Sequence, residues 1–282
     1  MTVRTVLEAV RETMREEMRR DERVVLLGED VGARGGVFRA SEGLLREFGE
    51  ERVIDTTLAE GAIVGVAIGM SLNGLRPIAE IQFADFIHPA FDQIVSEAAR
   101  MRYRSNGVWG CPLVVRAPYG GGVHGALYHS QSVEAFFAHV PGLKVVAPST
   151  PRDVKGLLTA ALRDDDPVIF LEHKRTYRLI KGEVPDGDFV LPLGKAEVKR
   201  PGEHVSVITY GLAVHHALQA AEEVAKEGVS VEVVDLRTLK PLDTETMLAS
   251  VRKTGKALVV HEDNLTGGFG AEVAAIIAQE AF

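Results

Sequence analysis

The 282-residue sequence has little of several features that define other protein classes. It contains a single cysteine, Cys111, which excludes an internal disulfide framework and fits a reducing compartment. The densest charged segment, RRDER, mixes both signs, and the net charge of −8 argues against nucleic acid as the main partner. The N-terminal segment MTVRTVLEAVRETMREEMRR lacks the apolar core of a secretory signal and carries acids, which transit peptides avoid. We therefore expect a cytoplasmic protein.

Motifs of several common enzyme classes are also missing. The GxSxG elbow of hydrolases does not occur, and the glycine-rich GEDVGARGGVF has neither the P-loop nor the dinucleotide-binding spacing, so it predicts a loop. His215 and His216 are adjacent on a predicted helix, which excludes their binding one metal together. The segment HEDN at 261–264 follows a predicted strand and either lines a cleft or, as we expect, is the solvated end of that strand. Residues that carry chemistry are therefore expected elsewhere in the chain.

The sequence does contain short β-branched runs that alternate with helical patterns, which predicts a mostly parallel α/β fold. Thr150 and Pro151 mark one helix start, as a capping hydroxyl followed by a residue suited to the first helical position. A segment rich in Gly, Pro and Asp separates two such series. We expect an α/β domain over 1–182, a linker over 183–194 and a second α/β domain over 195–282. The predicted strands are 24–28, 52–56, 76–82, 112–118, 144–149 and 167–173, then 204–211, 231–237 and 256–263.

The segment AEGAIVGVAIGM places unusual residues on an apolar helix. Gly61, Gly65 and Gly69 share one helical face, where each costs roughly 1 kcal/mol relative to alanine. Such a face packs closely either on the helix's own sheet or on a second helix across a subunit interface. The apolar run is only about ten residues, too short for a membrane span. Glu60 begins the helix, and its position is explained either by a local backbone hydrogen bond or by a functional carboxylate.

A polar run, Tyr128 to Gln131, interrupts the apolar stretch ALYHSQSVEAFFAH. Burying a hydroxyl, imidazole or amide without a partner costs roughly 1 to 3 kcal/mol. These four residues therefore either line a wet cleft or form a satisfied network. His129 is accordingly either a tethered core histidine or a catalytic one.

Longer motifs resemble one protein family through nearly the whole chain. They are similar to the β subunit of the thiamine-diphosphate-dependent E1 component of 2-oxo acid dehydrogenase complexes, and residues 80–94 and 124–139 resemble the branched-chain branch more than the pyruvate branch. The resemblance implies two three-layer α/β/α domains with mostly parallel sheets: a transketolase-like pyrimidine-binding domain and a transketolase C-terminal-like domain. Family members continue for several tens of residues past Phe282, so we expect the second domain to be truncated. The motifs are EDVGARGGVFRASEGL, TLAEGAIVGVAIGMSLNGLRPIAEIQFADFIHPAFDQI, GGVHGALYHSQSVEAFFAHVPGLKVVAPSTPRDVKGLL, DPVIFLEHKRTYR and VEVVDLRTLKPLD.

The resemblance also implies roles for individual residues. Glu60 would hydrogen-bond N1′ of the aminopyrimidine ring of thiamine diphosphate and support its imino tautomer, a task for a positioned carboxylate. His129 matches a histidine at the mouth of the site, suited to supply a proton during reductive acylation. Phe86 matches the aromatic side chain that stacks on the pyrimidine ring, and Gln82 and the Leu58 backbone match its other neighbours.

Part of the expected cofactor site is missing from the sequence. Thiamine enzymes bind the diphosphate through Mg²⁺ held by a GDG motif with a downstream asparagine, and no GDG occurs here. The resemblance therefore implies that an E1 α subunit supplies this half, in an α2β2 heterotetramer in which Gly65 and Gly69 lie between like subunits. Family β subunits also bind a structural K⁺, largely through carbonyl oxygens. The positions that match the K⁺ ligands are Leu113, Ala161, Asp164 and Asp166.

The function implied by the resemblance is oxidative decarboxylation of a branched-chain 2-oxo acid, with reductive acylation of the lipoyl group on the E2 acyltransferase. One alternative is a pyruvate dehydrogenase E1 β subunit. Another is a non-catalytic scaffold that binds E1 α and E2; a scaffold would tolerate Glu60→Gln. A split transketolase would need a basic clamp for sugar phosphates, and the sequence has no basic cluster beside His129.

Overall fold

A computed structural model describes residues 1–123 and 125–281, which form two mainly parallel sheets and one two-stranded sheet. The strands are β1 (Thr2–Thr5), β2 (Val24–Gly28), β3 (Val53–Asp55), β4 (Arg76–Glu80), β5 (Val114–Tyr119), β6 (Lys144–Val146), β7 (Val168–His173), β8 (Lys181–Val184), β9 (Glu197–Arg200), β10 (Val205–Thr209), β11 (Val231–Asp235), β12 (Thr238–Lys240) and β13 (Ala257–Val260). The helices are α1 (Val6–Arg20), α2 (Leu44–Phe48), α3 (Glu60–Leu72), α4 (Met101–Arg104), α5 (Glu134–Ala138), α6 (Pro151–Arg163), α7 (Thr176–Leu179), α8 (Leu212–Ala225), α9 (Thr244–Thr254) and α10 (Phe269–Glu280). Shorter helical turns cover Ala84–Phe86, His88–Ala90 and Gln93–Ala98.

The first sheet has seven strands in the order β12-β6-β7-β5-β4-β2-β3. Its central strands β2, β4, β5 and β7 are buried along their whole length, as strands covered on both faces of a parallel sheet must be. Helices α1 and α6 pack on one face, and α3 and α5 contribute to the apolar core on the other. All six strands predicted in the first domain are confirmed, most of them with shorter bounds.

The second sheet has four strands in the order β13-β10-β11-β9, with only β9 antiparallel. Helix α8 packs on one face through Ala217 and Ala221. On the other face, α9 and α10 join the apolar core that continues from the first sheet. The expectation of two three-layer α/β/α units is therefore confirmed. Across residues 1–123 and 125–281, no helix combines the length and hydrophobicity that a membrane crossing requires.

Local signals in the sequence set where some helices begin. Thr150 caps α6 by accepting a hydrogen bond of 3.1 Å from the backbone N–H of Asp153, and Pro151 is the first helical residue, as predicted. Helix α1 begins with a capping box between Thr5 and Glu8. Both helices therefore start where a side chain satisfies an otherwise free N–H group.

Two strand pairings tie distant parts of the chain together. Strand β8 pairs antiparallel with β1, so the ordered strand extends into the segment expected to be a linker over 183–194. Strand β12 follows β11 of the second sheet but pairs with β6 of the first. The second unit is therefore joined to the first by backbone hydrogen bonds as well as by the shared apolar core.

A network of buried charges crosses the middle of the first sheet. Arg116 on β5 is fully buried and donates two parallel hydrogen bonds of 2.6 Å to the Glu172 carboxylate on β7. It donates a third, also of 2.6 Å, to Glu80 on β4, and the Tyr177 hydroxyl donates to Glu172. Burial raises the pKa of Glu80 against the opposing attraction of Arg116. The network thus joins three adjacent strands near their carboxyl ends.

Replacing Arg116 with methionine is expected to lower the free energy of unfolding by about 3–5 kcal/mol, because two carboxylates would stay buried without their cation. Urea unfolding of the purified chain, followed by circular dichroism, measures this loss. Arg23→Met is the matched control, because the Arg23 side chain is 56% exposed where it pairs with Asp21. The urea concentration at the unfolding midpoint of this variant should hardly differ from that of the unmodified chain. Equal midpoints for the two variants would show that the network does not stabilise the sheet.

Candidate active site

The carboxyl ends of β2, β4, β5 and β7 meet at one edge of the first sheet. In open α/β sheets, ligands bind at this edge where the strand order reverses, and here the order reverses between β2 and β4. The chain continues at this edge into Glu29 after β2, Gln82 after β4 and Lys174 after β7. The candidate site is therefore built on strands that are buried along their whole length.

Glu60 lies at one side of this edge as the first residue of α3, and it is half-buried. The positive end of the helix dipole favours its negative charge, and the N-cap residue, Ala59, makes no side-chain hydrogen bond to the first turn. Burial, together with the negative charges of Asp30 and Glu60, raises the pKa of Glu29. The Glu60 carboxylate therefore belongs to a group of neighbouring acids rather than standing alone.

Gln82 and Leu58 border the same acidic group. The Gln82 side chain donates to the Glu29 carbonyl and to the Asp30 carboxylate, each at 3.5 Å. Leu58 lies just before α3 and is 72% exposed. Both predicted neighbours of the cofactor ring thus lie near Glu60, one beside β2 and the other at the start of α3.

His129 lies against aromatic side chains at the other side of the site. Its ring centroid is 4.4 Å from that of Phe83 and 5.4 Å from that of Phe86, both edge to face. The buried Nδ1 of His129 has no hydrogen-bond partner among the described residues. It lies against Gly125, where an added Cβ would come within 2.6 Å of Nδ1. No hydrogen bond from the described residues therefore tethers the His129 ring.

These side chains suit an aromatic ring that also forms hydrogen bonds. Phe86 supplies an aromatic face, with Tyr128 6.0 Å away between ring centroids, and Glu60 supplies a carboxylate. An apolar wall with a few polar groups is the usual lining of a cofactor site. The residues present therefore fit the aminopyrimidine ring of thiamine diphosphate.

Sequence reasoning missed one contact that holds the loop before His129. Glu262, within HEDN, accepts a hydrogen bond of 2.9 Å from the Gly121 N–H and contacts the His173 ring. The contact with His173 lowers the pKa of Glu262. Glu262 is exposed, as the interpretation of HEDN as a solvated strand end expects, but its carboxylate also links the second unit to the active-site loop.

The four positions expected to bind K⁺ gather around the turn from α6 to β7 and the start of β5. The Leu113 carbonyl accepts the Val168 N–H, and the Ala161 carbonyl accepts the Asp164 N–H. Lys144 binds both carboxylate oxygens of Asp164 at 2.6 Å, and an arginine binds Asp166. The oxygens that remain for a cation are mainly carbonyl lone pairs. Within the described chain, no three His, Cys, Asp or Glu side chains are grouped to hold a metal ion.

The glycine face of α3 divides into two parts. A Cβ at Gly61 would lie 3.0 Å from the Pro89 carbonyl oxygen, and one at Gly65 would lie 3.3 Å from the Gln93 side chain, so both glycines pack within the chain. Nothing lies within 4 Å of a Cβ added at Gly69. At these two positions the glycine face therefore packs on the helical turns that contain Pro89 and Gln93 rather than on the sheet, and contact between like subunits stays a prediction.

Two family models and several relatives match the chain. The transketolase pyrimidine binding domain matches residues 3–180 and the transketolase C-terminal domain matches residues 194–282. A 2-oxoisovalerate dehydrogenase subunit beta of Bacillus subtilis (strain 168) is 65% identical over 279 residues, which are 99% of this chain and 85% of the relative. A pyruvate dehydrogenase E1 component subunit beta of the same organism is 52% identical over 281 residues, or 100% of this chain and 86% of the relative.

A solved structure agrees with these matches. The inactive β4 tetramer of a split-gene transketolase superposes with a TM-score of 0.82 at 25% identity, over 99% of this chain and 85% of that chain. Both the sequence and the fold thus point to transketolase-like proteins. The chain belongs to the β subunits of the thiamine-diphosphate-dependent E1 components of 2-oxo acid dehydrogenases.

Proposed function

We propose that this chain, with an E1 α subunit, catalyses the oxidative decarboxylation of a branched-chain 2-oxo acid and the reductive acylation of the lipoyl group on E2. The observation that carries the proposal is the placement of Glu60, Phe86 and His129 at one sheet edge. Thiamine diphosphate, when bound, supplies the nucleophilic carbon that attacks the carbonyl of the 2-oxo acid. Glu60 would accept a hydrogen bond from N1′ of its aminopyrimidine ring and exchange a proton there, and Phe86 would pack against that ring. His129 supplies a proton during acyl transfer.

A branched-chain substrate is favoured over pyruvate by the similarity of the relatives. The 2-oxoisovalerate dehydrogenase subunit is 65% identical to this chain, against 52% for the pyruvate dehydrogenase subunit. The pyruvate alternative predicts the opposite order of substrates.

The α subunit completes the cofactor site in this proposal. The chain lacks a GDG motif, so Mg²⁺ and the diphosphate are held mainly by α, in an α2β2 heterotetramer. The solved relative is described as a split-gene transketolase in an inactive β4 tetramer. The exposed Gly69, with Val66 at 52% and Leu72 at 42% exposure on the same helix, offers a surface for a like subunit. We place the complex in the cytoplasm, where the single Cys111 stays reduced.

K⁺ is the other ion in this proposal. The carbonyl oxygens of Leu113 and Ala161 each keep a second lone pair, whereas the carboxylates of Asp164 and Asp166 are already bound by Lys144 and Arg102. A hard cation held mainly by carbonyl oxygens there would join β5, α6 and β7. Its role would be structural.

The split site makes a direct prediction. The chain purified alone is expected to bind thiamine diphosphate weakly and to decarboxylate nothing, whereas coexpression with its E1 α subunit should give tight, Mg²⁺-dependent binding. Isothermal calorimetry measures the binding, and CO₂ release from 2-oxoisovalerate and from pyruvate measures kcat/KM. Tight, Mg²⁺-dependent binding by the chain alone would contradict the split site. A higher kcat/KM for pyruvate would assign the chain to the pyruvate branch instead.

A further inference from the structure

Asp85 binds the backbone of the active-site loop at His129. Its carboxylate accepts hydrogen bonds from three successive N–H groups: His129 at 2.6 Å, Ser130 at 3.3 Å and Gln131 at 3.3 Å. Asp85 is only 6% exposed. Successive N–H groups that converge on one point form an anion-binding nest. Here the anion is a side chain of the protein itself.

The backbone of His129 has a conformation that needs such support. Its φ is +73°, in the left-handed region that non-glycine residues rarely adopt. Holding a residue there costs on the order of 1–3 kcal/mol, which the surrounding contacts must offset. Asp85 also lies between Phe83 and Phe86, the two side chains that contact the His129 ring. One short segment therefore fixes both the backbone and the ring of His129.

A buried cation lies near Asp85. Lys174 is 6% exposed, and its ammonium has no hydrogen-bond partner among the described residues. The ammonium lies 5.8 Å from the centre of the Phe83 ring. Burial lowers the pKa of Lys174 to about 8, against the opposing attraction of Asp85 and Glu262. A buried carboxylate is favoured by a nearby positive charge, and the attraction between Lys174 and Asp85 acts without a hydrogen bond.

We propose that Asp85 is a positioning residue for His129, with Lys174 as its counter-charge. The three hydrogen bonds to Asp85 hold the His129 imidazole where acyl transfer to the lipoyl group requires it. This inference rests on the proposed function, which gives His129 its role in acyl transfer. Because we expect decarboxylation to proceed without His129, we expect it to proceed without Asp85 as well.

The test uses Asp85→Asn in the assembled α2β2 enzyme. Asparagine keeps the size of the side chain but removes its charge, and it turns N–H hydrogens toward the backbone N–H of Gln131. Because a misplaced catalytic group costs up to about 100-fold, acylation of the E2 lipoyl domain should fall by about 10- to 100-fold. Decarboxylation measured with an artificial electron acceptor should hardly change. Asp92→Asn, an exposed aspartate shortly after the same segment, is the matched control and should change neither rate.

A double variant shows whether Asp85 acts through His129. If it does, Asp85→Asn should have no further effect on acylation once His129 is already asparagine. Additive losses would overturn the proposal, as would equal losses of both rates with cofactor occupancy intact. Lys174→Met should also lower the rate of acylation, but less than Asp85→Asn does. This second variant keeps the test decisive if Asp85→Asn does not assemble. An unchanged acylation rate in Lys174→Met would remove Lys174 from the proposal.

A chemical readout separates this proposal from the proposed function. Diethyl pyrocarbonate modifies accessible histidines, and peptide mass spectrometry measures its rate at His129 in the assembled enzyme. Release of the loop in Asp85→Asn should raise that rate several-fold, and an unchanged rate would overturn the positioning role. If His129→Asn itself left acylation intact, the role of His129 in the proposed function would fail, while the modification rate would still decide whether Asp85 positions it.

Discussion

Glu60→Gln is expected to lower decarboxylation by the assembled enzyme by about 100- to 10,000-fold, the usual worth of a positioned acid–base group. Glutamine keeps the size and hydrogen-bonding reach of glutamate but removes the carboxylate that exchanges a proton at N1′. Glu60 also stands at the positive end of α3, where the charge of a carboxylate is favoured and a neutral amide gains less. Because activation of the cofactor precedes every later step, decarboxylation and acyl transfer should fall together.

The measurement is CO₂ release with an artificial electron acceptor, together with the amount of bound thiamine diphosphate. Glu51→Gln is the matched control: it makes the same change at an exposed position before β3, away from the site, and should keep full activity. Full activity of Glu60→Gln, with the cofactor bound, would favour the scaffold alternative. Loss of cofactor without a change in the rate per occupied site would make Glu60 a binding residue only.

Much of the fold could be predicted because its central strands carry their own signal. VVLLG and PVIFLEH are apolar and β-branched, and strands buried on both faces need little besides that composition. Strands β1, β8, β9 and β12 were missed. Their sequences, such as EVKR in β9 and TLK in β12, are short and partly exposed, and they form strands only because distant segments pair with them. Local patterns do not contain that information.

The site, like the fold, has residues that could be predicted from the sequence and residues that could not. The residues themselves left two interpretations for Glu60 and for His129, and only the family resemblance gave them roles. Asp85 and Glu262 were missed because their partners are remote in sequence: His129 is 44 residues from Asp85, and His173 is 89 residues from Glu262. A signal for Asp85 was nevertheless present. In FADF an acid lies between two phenylalanines, so, like the polar run that begins at Tyr128, it must either face a wet cleft or find hydrogen-bond partners.

His129→Asn is expected to separate the two half-reactions that Glu60→Gln lowers together. Asparagine keeps a hydrogen-bonding side chain, but it titrates nowhere near neutral pH and cannot supply a proton as imidazole does. Acylation of the lipoyl domain should therefore fall by about 100- to 10,000-fold. Decarboxylation with an artificial electron acceptor should stay largely intact, because it does not need the proton from His129. His139→Asn, at an exposed position after α5, is the matched control and should keep both rates.

The ratio of the acylation rate to the decarboxylation rate is the decisive quantity, because a loss of folding or of assembly would lower both rates. The position of His129 supports a selective effect: its ring contacts Phe83 and Phe86 at the border of the site, while Glu60 lies near Glu29 and Asp30. If His129→Asn lowered both rates equally with the cofactor bound, His129 would act in decarboxylation instead. The loop held by Asp85 and Glu262 would then serve the first step of the reaction rather than the transfer to E2.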